Sequence, residues 1–340
     1  MKLFVGLDVS SEKLDTCFLT DDDDLSILLE KTFPNDLNGA TAIKDQIIKF
    51  TESMIFQKIV IGMESTSLYS FHPATFFQMD KELNQYELVV TVENPFKIKQ
   101  FSRIFDEDKT DRIDAFRIAD YLRLQRYSSS PLKEEKYMAL QRLTRTRYQM
   151  VCQLTEAKQH FLENLTYKCN TLSRELKNGD SPTSVFGAAM IALMTEDYSL
   201  DDFSTMSLDA LAELLQHYGK GRFKSPEKIA EAIKKAVRDS YRLGKLAQES
   251  IDIILACLVK SIQAFQKQIK ILDQAIEDLV VILPEYQCLR SIPGIGPVYA
   301  AGLLAEIGQI ERFEDQAKLA KYAGLTWKVS QSGNFQSERT

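Results

Sequence analysis

Four acidic residues have the types and the spacing for metal-assisted phosphate chemistry. Asp8 and Glu64 each end a short apolar run that predicts a strand, and Asp111 and Asp114 are three positions apart on a predicted helix, where they share a face. Four carboxylates that converge on one spot repel one another unless cations lie between them. Oxygen ligands suit Mg²⁺, with Mn²⁺ as an alternative, and two such ions can stabilise the attacking and leaving oxygens of a phosphodiester.

Each of these acids also has a purely structural explanation. A lone aspartate at a strand end is usually a turn or cap residue, and Asp111 could cap the helix that follows it. We assign Asp15 and the acidic run at residues 21–24 to such turns. The combination of four acids, rather than any one of them, predicts a functional centre.

The elements that must position these acids alternate between strand and helix. Strands are predicted at residues 3–8, 16–20, 26–33, 58–63 and 88–92, and helices at residues 40–51, from Pro95 onward, and at 111–124. This β-β-β-α-β-α-β-α order is that of an RNase H-like fold. The first and fourth strands are neighbours in such a sheet, so Asp8 and Glu64 should emerge side by side.

The second half of the chain is predicted to be helical. Residues 133–176 form one long helix, residues 178–208 form a linker of loops and short helices, and Pro284 ends a second long helix. The second helix carries an apolar coiled-coil heptad seam, which consists of Ile251, Leu255, Leu258, Ile262, Phe265, Ile269, Leu272, Ile276, Leu279 and Leu283. The seam must be buried either against the first long helix or against a second subunit, and both alternatives stay open.

Two features stand near the C-terminus. The segment at residues 292–297 places Gly294 and Gly296 between two helices, which predicts a helix-hairpin-helix that contacts a nucleic-acid backbone. The alternative is a tight interhelical turn with a packing role. Ser332 precedes Gly333 in a polar loop, and this spacing alone does not identify a nucleophile.

Charge is distributed unevenly along the 340 residues. The net charge is -6, but residues 97–147 and 220–245 are rich in lysine and arginine, and local basic stripes matter more for phosphate contact than the total. The expected nucleic-acid contacts are Lys99, Arg103, Arg112, Arg142, Arg145, Lys220, Arg222 and Lys224. The alternative is that these stripes are solvated helix faces.

The composition argues against several other classes of protein. The five cysteines are scattered without a C-x-x-C pair and only three histidines are present, which argues against a zinc site or a disulfide framework. The sequence has no apolar run of membrane-spanning length and no signal-peptide pattern. We therefore expect a cytoplasmic protein with no membrane partner.

Motifs along essentially the whole chain resemble those of the insertion-sequence transposases numbered one hundred and ten. These RuvC-like DEDD transposases are also called bridge-RNA-guided recombinases. The N-terminal resemblance rests on residues 6–10 with Lys13, residues 63–66, Asn94-Pro95 with Lys99, and residues 109–115. The C-terminal resemblance rests on residues 292–296, Arg312-Phe313, Gly324-Leu325 and Ser332-Gly333.

The resemblance implies a metal-dependent DNA transposase or recombinase of a mobile element. The family's acids match Asp8, Glu64, Asp111 and Asp114, and its serine nucleophile matches Ser332, with Ser330 as the second choice. The serine would attack the scissile phosphate and leave a covalent phosphoserine–DNA link. A structured noncoding RNA, the bridge RNA, would bring donor and target DNA together by base pairing. The protein would act as a homo-oligomer, a dimer or a tetramer, with acids and serine from different subunits.

The expected organisation has three parts. Residues 1–130 form a RuvC-like catalytic domain, residues 131–284 a helical coiled-coil and linker region, and residues 285–340 a small, mostly helical transposase domain that carries the serine. Two departures from the family stand in this last part. Trp327 stands where the family usually has proline, and family members continue beyond the point where this chain ends. We therefore expect either a truncated C-terminal domain or a decayed, inactive copy.

Three other classes of protein share some of these sequence features. A RuvC-type structure-selective nuclease, such as a Holliday-junction resolvase, would use the four acids with water as the nucleophile. A non-catalytic nucleic-acid-binding scaffold would keep the basic stripes without strand cleavage. A sugar-kinase or actin-like ATPase also begins with a strand bearing Gly-x-Asp, but it has no place for the Asp-x-x-Asp helix.

Overall fold

The structure is a computed structural model of the chain. It describes residues 1–22, 26–66, 68–103, 111–125, 127, 133–179, 181–195 and 198–325, and the backbone of residues 331–332 and 335–336. The chain divides into two compact units. The first comprises Met1–Glu134 and Ile307–Thr340, and the second comprises Glu135–Glu306.

The first unit is built on a five-stranded mixed sheet. Its strands are β1 (Lys2–Val9), β2 (Lys13–Thr20), β3 (Ile27–Pro34), β4 (Lys58–Glu64) and β5 (Leu88–Glu93). They lie in the order β3-β2-β1-β4-β5. β2 is antiparallel to both of its neighbours, β1 and β3, whereas β4 and β5 are parallel to β1. The prediction that the first and fourth strands are neighbours is therefore confirmed.

Helices cover both faces of this sheet. The helices of the first unit are α1 (Leu37–Ser53), α2 (Phe71–Met79), α3 (Pro95–Ser102), α4 (Asp111–Arg123) and, near the C-terminus, α14 (Gln316–Tyr322). Leu3, Val5 and Leu7 of β1 point into a core cluster that includes residues of α1 and α2. Phe4 and Val60 belong to a second cluster that includes residues of α3 and α4. Because side chains alternate along a strand, Gly6 and Asp8 belong to the α4 face.

Glycines allow α4 to lie directly on the strands. A Cβ atom on Gly6 would collide with the carbonyl oxygen of Ala115 and the backbone nitrogen of Ala119, both in α4. A Cβ atom on Gly62, beside Gly6 in the parallel register, would lie 2.6 Å from a methyl carbon of Leu122. The pair of glycines therefore sets the distance between α4 and the two central strands.

The second unit is entirely helical within the described residues. Its helices are α5 (Glu135–Lys168), α6 (Leu172–Asn178), α7 (Ala188–Thr195), α8 (Leu200–Thr205), α9 (Leu208–Gly219), α10 (Pro226–Asp239), α11 (Lys245–Val280), α12 (Pro284–Arg290) and α13 (Pro297–Ile307). α5 and α11 pair along their length. Arg147 forms an ion pair with Asp273, and Lys168 forms one with Asp252 at 2.8 Å. The partner of the later α5 residue, Lys168, comes earlier in α11 than the partner of Arg147, so the two helices are antiparallel.

The predicted seam of α11 faces α5 of the same chain. Leu255 and Ile262 are fully buried in one cluster with Phe161, and Ile276 is buried in another with Leu140. Between these clusters the seam is only half-buried, as at Phe265 and Ile269. The structure thus supplies the intrachain partner that the sequence left open, without testing whether subunits also associate through the half-buried stretch.

Two segments are organised differently from the expectation. The short helices predicted within residues 178–208 are present as α7 and α8. However, Met190, Ile191, Leu193 and Met194 of α7 are buried in the core of the second unit, which a linker would not require. The helices α12 and α13 pack on α5 and α11 through Tyr286 and Leu304, so they group with the second unit rather than with residues 307–340. The three-part division stays a prediction, and this packing favours a boundary near residue 306.

No helix among the described residues is both long enough and apolar enough to cross a membrane.

The C-terminal segment contributes two short paired strands to the first unit. A two-residue strand β6 (Gln331–Ser332) pairs antiparallel with β7 (Phe335–Gln336).

We predict that Gly6→Ala lowers the free energy of unfolding by about 1–3 kcal/mol, because the added methyl group must push α4 away from β1. The measurement is urea unfolding followed by circular dichroism. Gly302→Ala in α13 is the matched control, since a Cβ there meets nothing within 4 Å and the change should be neutral or slightly stabilising. Equal stability of Gly6→Ala and wild type would contradict the close packing of α4 on β1.

Candidate active site

Two of the four predicted acids lie on adjacent strands at one edge of the sheet. Asp8 is the penultimate residue of β1, and Glu64 is the last residue of β4. The parallel register pairs Gly6 with Gly62 and Leu7 with Met63, so its next step sets Asp8 beside Glu64. Both acids therefore belong to the sheet face on which α4 lies.

The helix α4 brings the other two acids to the same edge. Asp111 and Asp114 occupy its first turn, immediately before Ala115, which packs on Gly6. The negative charges of Asp114 and Asp111 both act on Asp8. Asp8, Glu64, Asp111 and Asp114 are called the acidic cluster below.

The protonation of Asp8 reflects this crowding. Burial is the largest cause, followed by the negative charges of Asp114, Asp111 and Asp15, and together they raise the pKa of Asp8 from 3.8 to about 6. A carboxylate whose charge is opposed in this way gains from any cation that neutralises its neighbours. The electrostatics of the acidic cluster thus favour cation binding.

The acidic cluster offers only oxygen donors, which fits Mg²⁺ or Mn²⁺ rather than zinc. Within the part of the chain that the structure describes, no three carboxylate, histidine or cysteine side chains approach closely enough to hold one ion as they stand. The assignment of Asp8, Glu64, Asp111 and Asp114 as the residues that would hold such an ion stays a prediction.

The sequence interpretation of Asp15 as a turn residue is wrong. Asp15 lies inside β2, directly across from Asp8, and is buried. Thr32 of β3 donates a hydrogen bond to its carboxylate at 2.5 Å. Lys13, two residues earlier, contacts both Asp15 and Asp111. The strand prediction began at residue 16, so the alternation that puts Lys13 and Asp15 on one face was missed.

Glu93 is a second acid that sequence reasoning missed. It is the last residue of β5 and pairs in register with Glu64, and only 1% of its surface is exposed. Thr91 donates a hydrogen bond to Glu93 at 2.8 Å, and the ammonium group of Lys97 lies 3.5 Å from its carboxylate. The signal was available in the segment LVVTVE, which ends on an acid as the strand β4 does.

The predicted nucleic-acid contacts fall into two groups. Arg112 forms an ion pair with Glu30 of β3 at 2.5 Å, and Arg145 donates two hydrogen bonds of 2.8 Å to Glu306. These two guanidinium groups therefore have protein partners. Arg142 also has an interaction within the protein. All eight predicted basic contacts, including Lys99, Arg103, Lys220, Arg222 and Lys224, lie on exposed surface.

Three of the exposed cations are close in sequence. Lys220, Arg222 and Lys224 lie in the connection between α9 and α10, where Lys220 and Gly221 both adopt positive φ angles. The predicted hairpin lies between α12 and α13. Gly294 there has a φ of 90°, and a Cβ atom on Gly294 or Gly296 would meet nothing within 4 Å. The helix-hairpin-helix assignment stays a prediction.

The predicted nucleophile falls in the C-terminal hairpin. Ser332 is the second residue of β6 and pairs with Phe335 of β7. Its side chain, and the whole of Ser330, Gly333 and Trp327, lie outside the described residues. The choice between Ser332 and Ser330 therefore stays a prediction.

Comparison with known proteins identifies the family. Residues 5–169 match a transposase family model of the DEDD type, and residues 286–340 match the model described as transposase IS116/IS110/IS902 family. The chain belongs to this family of insertion-sequence transposases. The first match contains the whole acidic cluster, and the second contains the glycine hairpin and Ser332.

Two relatives are proteins of Streptomyces insertion elements. A 44.8 kDa uncharacterized protein of element IS116 from Streptomyces clavuligerus is 25% identical over 230 residues, which are 67% of this chain and 55% of the relative. A 43.6 kDa uncharacterized protein of element IS110 from Streptomyces coelicolor is 36% identical over 84 residues, which are 25% of this chain and 21% of the relative. The chain thus spans about half of the first relative and about a fifth of the second.

We predict that Asp8→Asn stabilises the metal-free chain at neutral pH but not at pH 4. The folded chain binds the Asp8 proton more tightly than the unfolded chain, since the pKa is about 6 against 3.8. Stability therefore falls as pH rises through this interval, and the loss is complete above the folded pKa. Asparagine carries no such charge.

The measurement is the thermal unfolding midpoint of both proteins in EDTA from pH 4 to pH 8. The difference between variant and wild type should grow from pH 4 to pH 7 and then level off. A difference that does not vary with pH would show that Asp8 is not electrostatically opposed by its neighbours.

Proposed function

We propose that this chain is a DNA transposase that cuts and rejoins DNA strands at the acidic cluster with the aid of Mg²⁺. The observation that carries the proposal is the arrangement of Asp8, Glu64, Asp111 and Asp114 at one edge of the sheet, in a chain of the transposase family. Phosphodiester chemistry needs positive charge beside the transferring phosphate, and this cluster is built to attract it.

Two different parts of the fold, the sheet and α4, hold the four acids in place. Asp8 and Glu64 are fixed to the rigid central strands, whereas Asp111 and Asp114 are fixed by the packing of α4 on Gly6 and Gly62. When bound, Mg²⁺ supplies Lewis-acid stabilisation of the charge that develops on the phosphate oxygens. The four carboxylates would hold and orient the ion, two of them from the sheet and two from α4.

We further propose that Ser332 is the nucleophile. Its hydroxyl oxygen attacks the scissile phosphorus and loses its proton as the new phosphoserine ester bond forms. The bond to the leaving strand oxygen breaks, and that oxygen takes up a proton. Reversal of these steps by the hydroxyl end of another strand rejoins the DNA, so no water is consumed and the number of phosphodiester bonds is conserved.

The partners proposed for this activity are donor DNA, target DNA and a structured noncoding RNA that pairs with both. The protein would then need to recognise backbone and shape rather than sequence. The exposed cations Lys220, Arg222 and Lys224 suit such contacts. The half-buried middle of the α5–α11 pair offers apolar surface for association of subunits into a dimer or tetramer.

We predict a covalent protein–DNA adduct that depends on both Ser332 and Asp8. The chain is incubated with Mg²⁺, the RNA of its element and labelled donor DNA, and the products are run on a denaturing gel. Wild type should give a slow band that Ser332→Ala and Asp8→Asn both abolish. Ser330→Ala is the matched control and should retain the band.

The alternative functions give different results in this assay. Cleavage without an adduct, unaffected by Ser332→Ala, would indicate a RuvC-type nuclease that uses water and would overturn the serine assignment. Loss of the band in Ser330→Ala alone would move the nucleophile to that residue. Metal binding with no strand cleavage, also in a C-terminally extended chain, would indicate a non-catalytic scaffold.

We predict that replacing Lys220, Arg222 and Lys224 by glutamine weakens RNA and DNA binding without regard to sequence. Each lost phosphate contact should reduce the slope of log affinity against log salt by about 0.7–0.9. The measurement is fluorescence anisotropy at several salt concentrations. Lys49→Gln with Lys81→Gln is the control, since both are exposed lysines outside the predicted contacts. Equal slopes for the triple variant and wild type would remove this loop from the interface.

A further inference from the structure

Lys13 joins the sheet to the first turn of α4 at the acidic cluster. Its ammonium nitrogen lies 2.6 Å from Oδ2 of Asp111 and 3.3 Å from Oδ2 of Asp15. Asp15 belongs to β2 and Asp111 is the first residue of α4, so one side chain bridges two elements that are far apart in sequence. The bridge lies beside Asp8, because Asp15 is directly across from Asp8 in the β1–β2 register.

Hydrogen bonds hold the backbone of Lys13 and the carboxylate of Asp15 in place. The backbone of Lys13 exchanges hydrogen bonds with Ser10 in the β1–β2 turn: Lys13 N–H donates to the Ser10 hydroxyl at 3.1 Å, and Ser10 N–H donates to the Lys13 carbonyl at 3.0 Å. Asp15 is buried and accepts a hydrogen bond from Thr32. The ammonium group is therefore aimed from a defined point on the sheet, whereas the side chain of Asp111 is 59% exposed.

We propose that Lys13, anchored by Asp15, is a positioning residue that orients the carboxylate of Asp111 within the acidic cluster. The inference rests on the proposed metal-dependent function. An exposed carboxylate in the first turn of a helix loses conformational entropy when it binds an ion, and a fixed hydrogen-bond donor removes part of that cost in advance. Asp15 belongs to the same centre as an anchor for Lys13 and does not hold the ion.

Competition between the Lys13 ammonium group and the metal ion for the carboxylates would have the opposite effect on metal binding. A lysine that only neutralised the cluster would compete with a metal ion, and its removal would tighten metal binding. Ion pairs between exposed groups contribute little in water, and the Lys13 and Asp111 side chains are 46% and 59% exposed. Loss of a group that orients a metal ligand typically weakens metal binding by about 10- to 100-fold. We therefore expect the orienting effect to dominate.

The test measures Mn²⁺ binding to the full chain directly, by the electron paramagnetic resonance signal of free Mn²⁺. Lys13→Met should raise the Mn²⁺ concentration for half-occupancy by about tenfold, and Lys13→Arg should recover most of the affinity because it keeps the charge and the reach. Lys58→Met is the matched control. Lys58 forms a 2.8 Å ion pair with Glu87 at the start of β4, so its loss should leave Mn²⁺ binding unchanged.

A double-variant cycle tests the role of Asp15. If Asp15 acts through Lys13, Asp15→Asn weakens Mn²⁺ binding in wild type but has no further effect in Lys13→Met. Additive effects would assign Asp15 a direct contact with the ion and overturn the anchoring role. Should Lys13→Met fail to fold, as judged by circular dichroism, the comparison of Asp15→Asn and Lys13→Arg with wild type still tests the proposal.

The outcomes separate this inference from the proposed function. Wild type that binds Mn²⁺, with equal or tighter binding by Lys13→Met, overturns the positioning role and leaves the metal centre intact. Wild type that binds no Mn²⁺ overturns the metal centre and the positioning role together. Weaker binding by Lys13→Met with recovery by Lys13→Arg supports both.

Discussion

The close approach of α4 to β1 and β4 is the constraint on which the acidic cluster depends. Because Gly6 and Gly62 have no side chains, the backbone of α4 packs directly on β1 at Gly6, and the side chain of Leu122 packs on β4 at Gly62. This contact brings the first turn of α4 to the strand ends, where Asp8 and Glu64 lie. The position of Asp111 and Asp114 relative to Asp8 and Glu64 therefore depends on the absence of a side chain at Gly6.

The same geometry carries an electrostatic cost. Burial, together with the negative charges of Asp114 and Asp111 from α4 and of Asp15 from β2, raises the pKa of Asp8 to about 6. The fold contains partial compensation in Lys13, which contacts Asp111 and Asp15. Compensation by one ammonium group is incomplete by charge alone. The proposed cation would therefore stabilise this edge of the sheet and couple its folding to metal binding.

Sequence patterns predicted the skeleton of the site but not its supporting residues. The strands β1 and β4 are β-branched and apolar, and the Asp-x-x-Asp spacing fixes one helix face, so these elements and their order could be inferred from local signals. Asp15 and Glu93 were not found, because their importance comes from cross-strand register, which a single strand does not reveal. The short helices of residues 178–208 were predicted, but the burial of α7 was not, because glycine, proline and serine flank a short apolar helix that only tertiary packing buries.

The α5–α11 pair shows why the seam could not identify its own partner. A heptad pattern requires a facing helix but carries no information on whether that helix belongs to the same chain. In the structure the ends of the pair are buried by additional helices, α7 at one end and α12 and α13 at the other. Among the described residues, the middle of the pair is formed by α5 and α11 alone, and two helices cannot enclose both of their apolar stripes. The partial burial of Phe265 and Ile269 follows from that geometry.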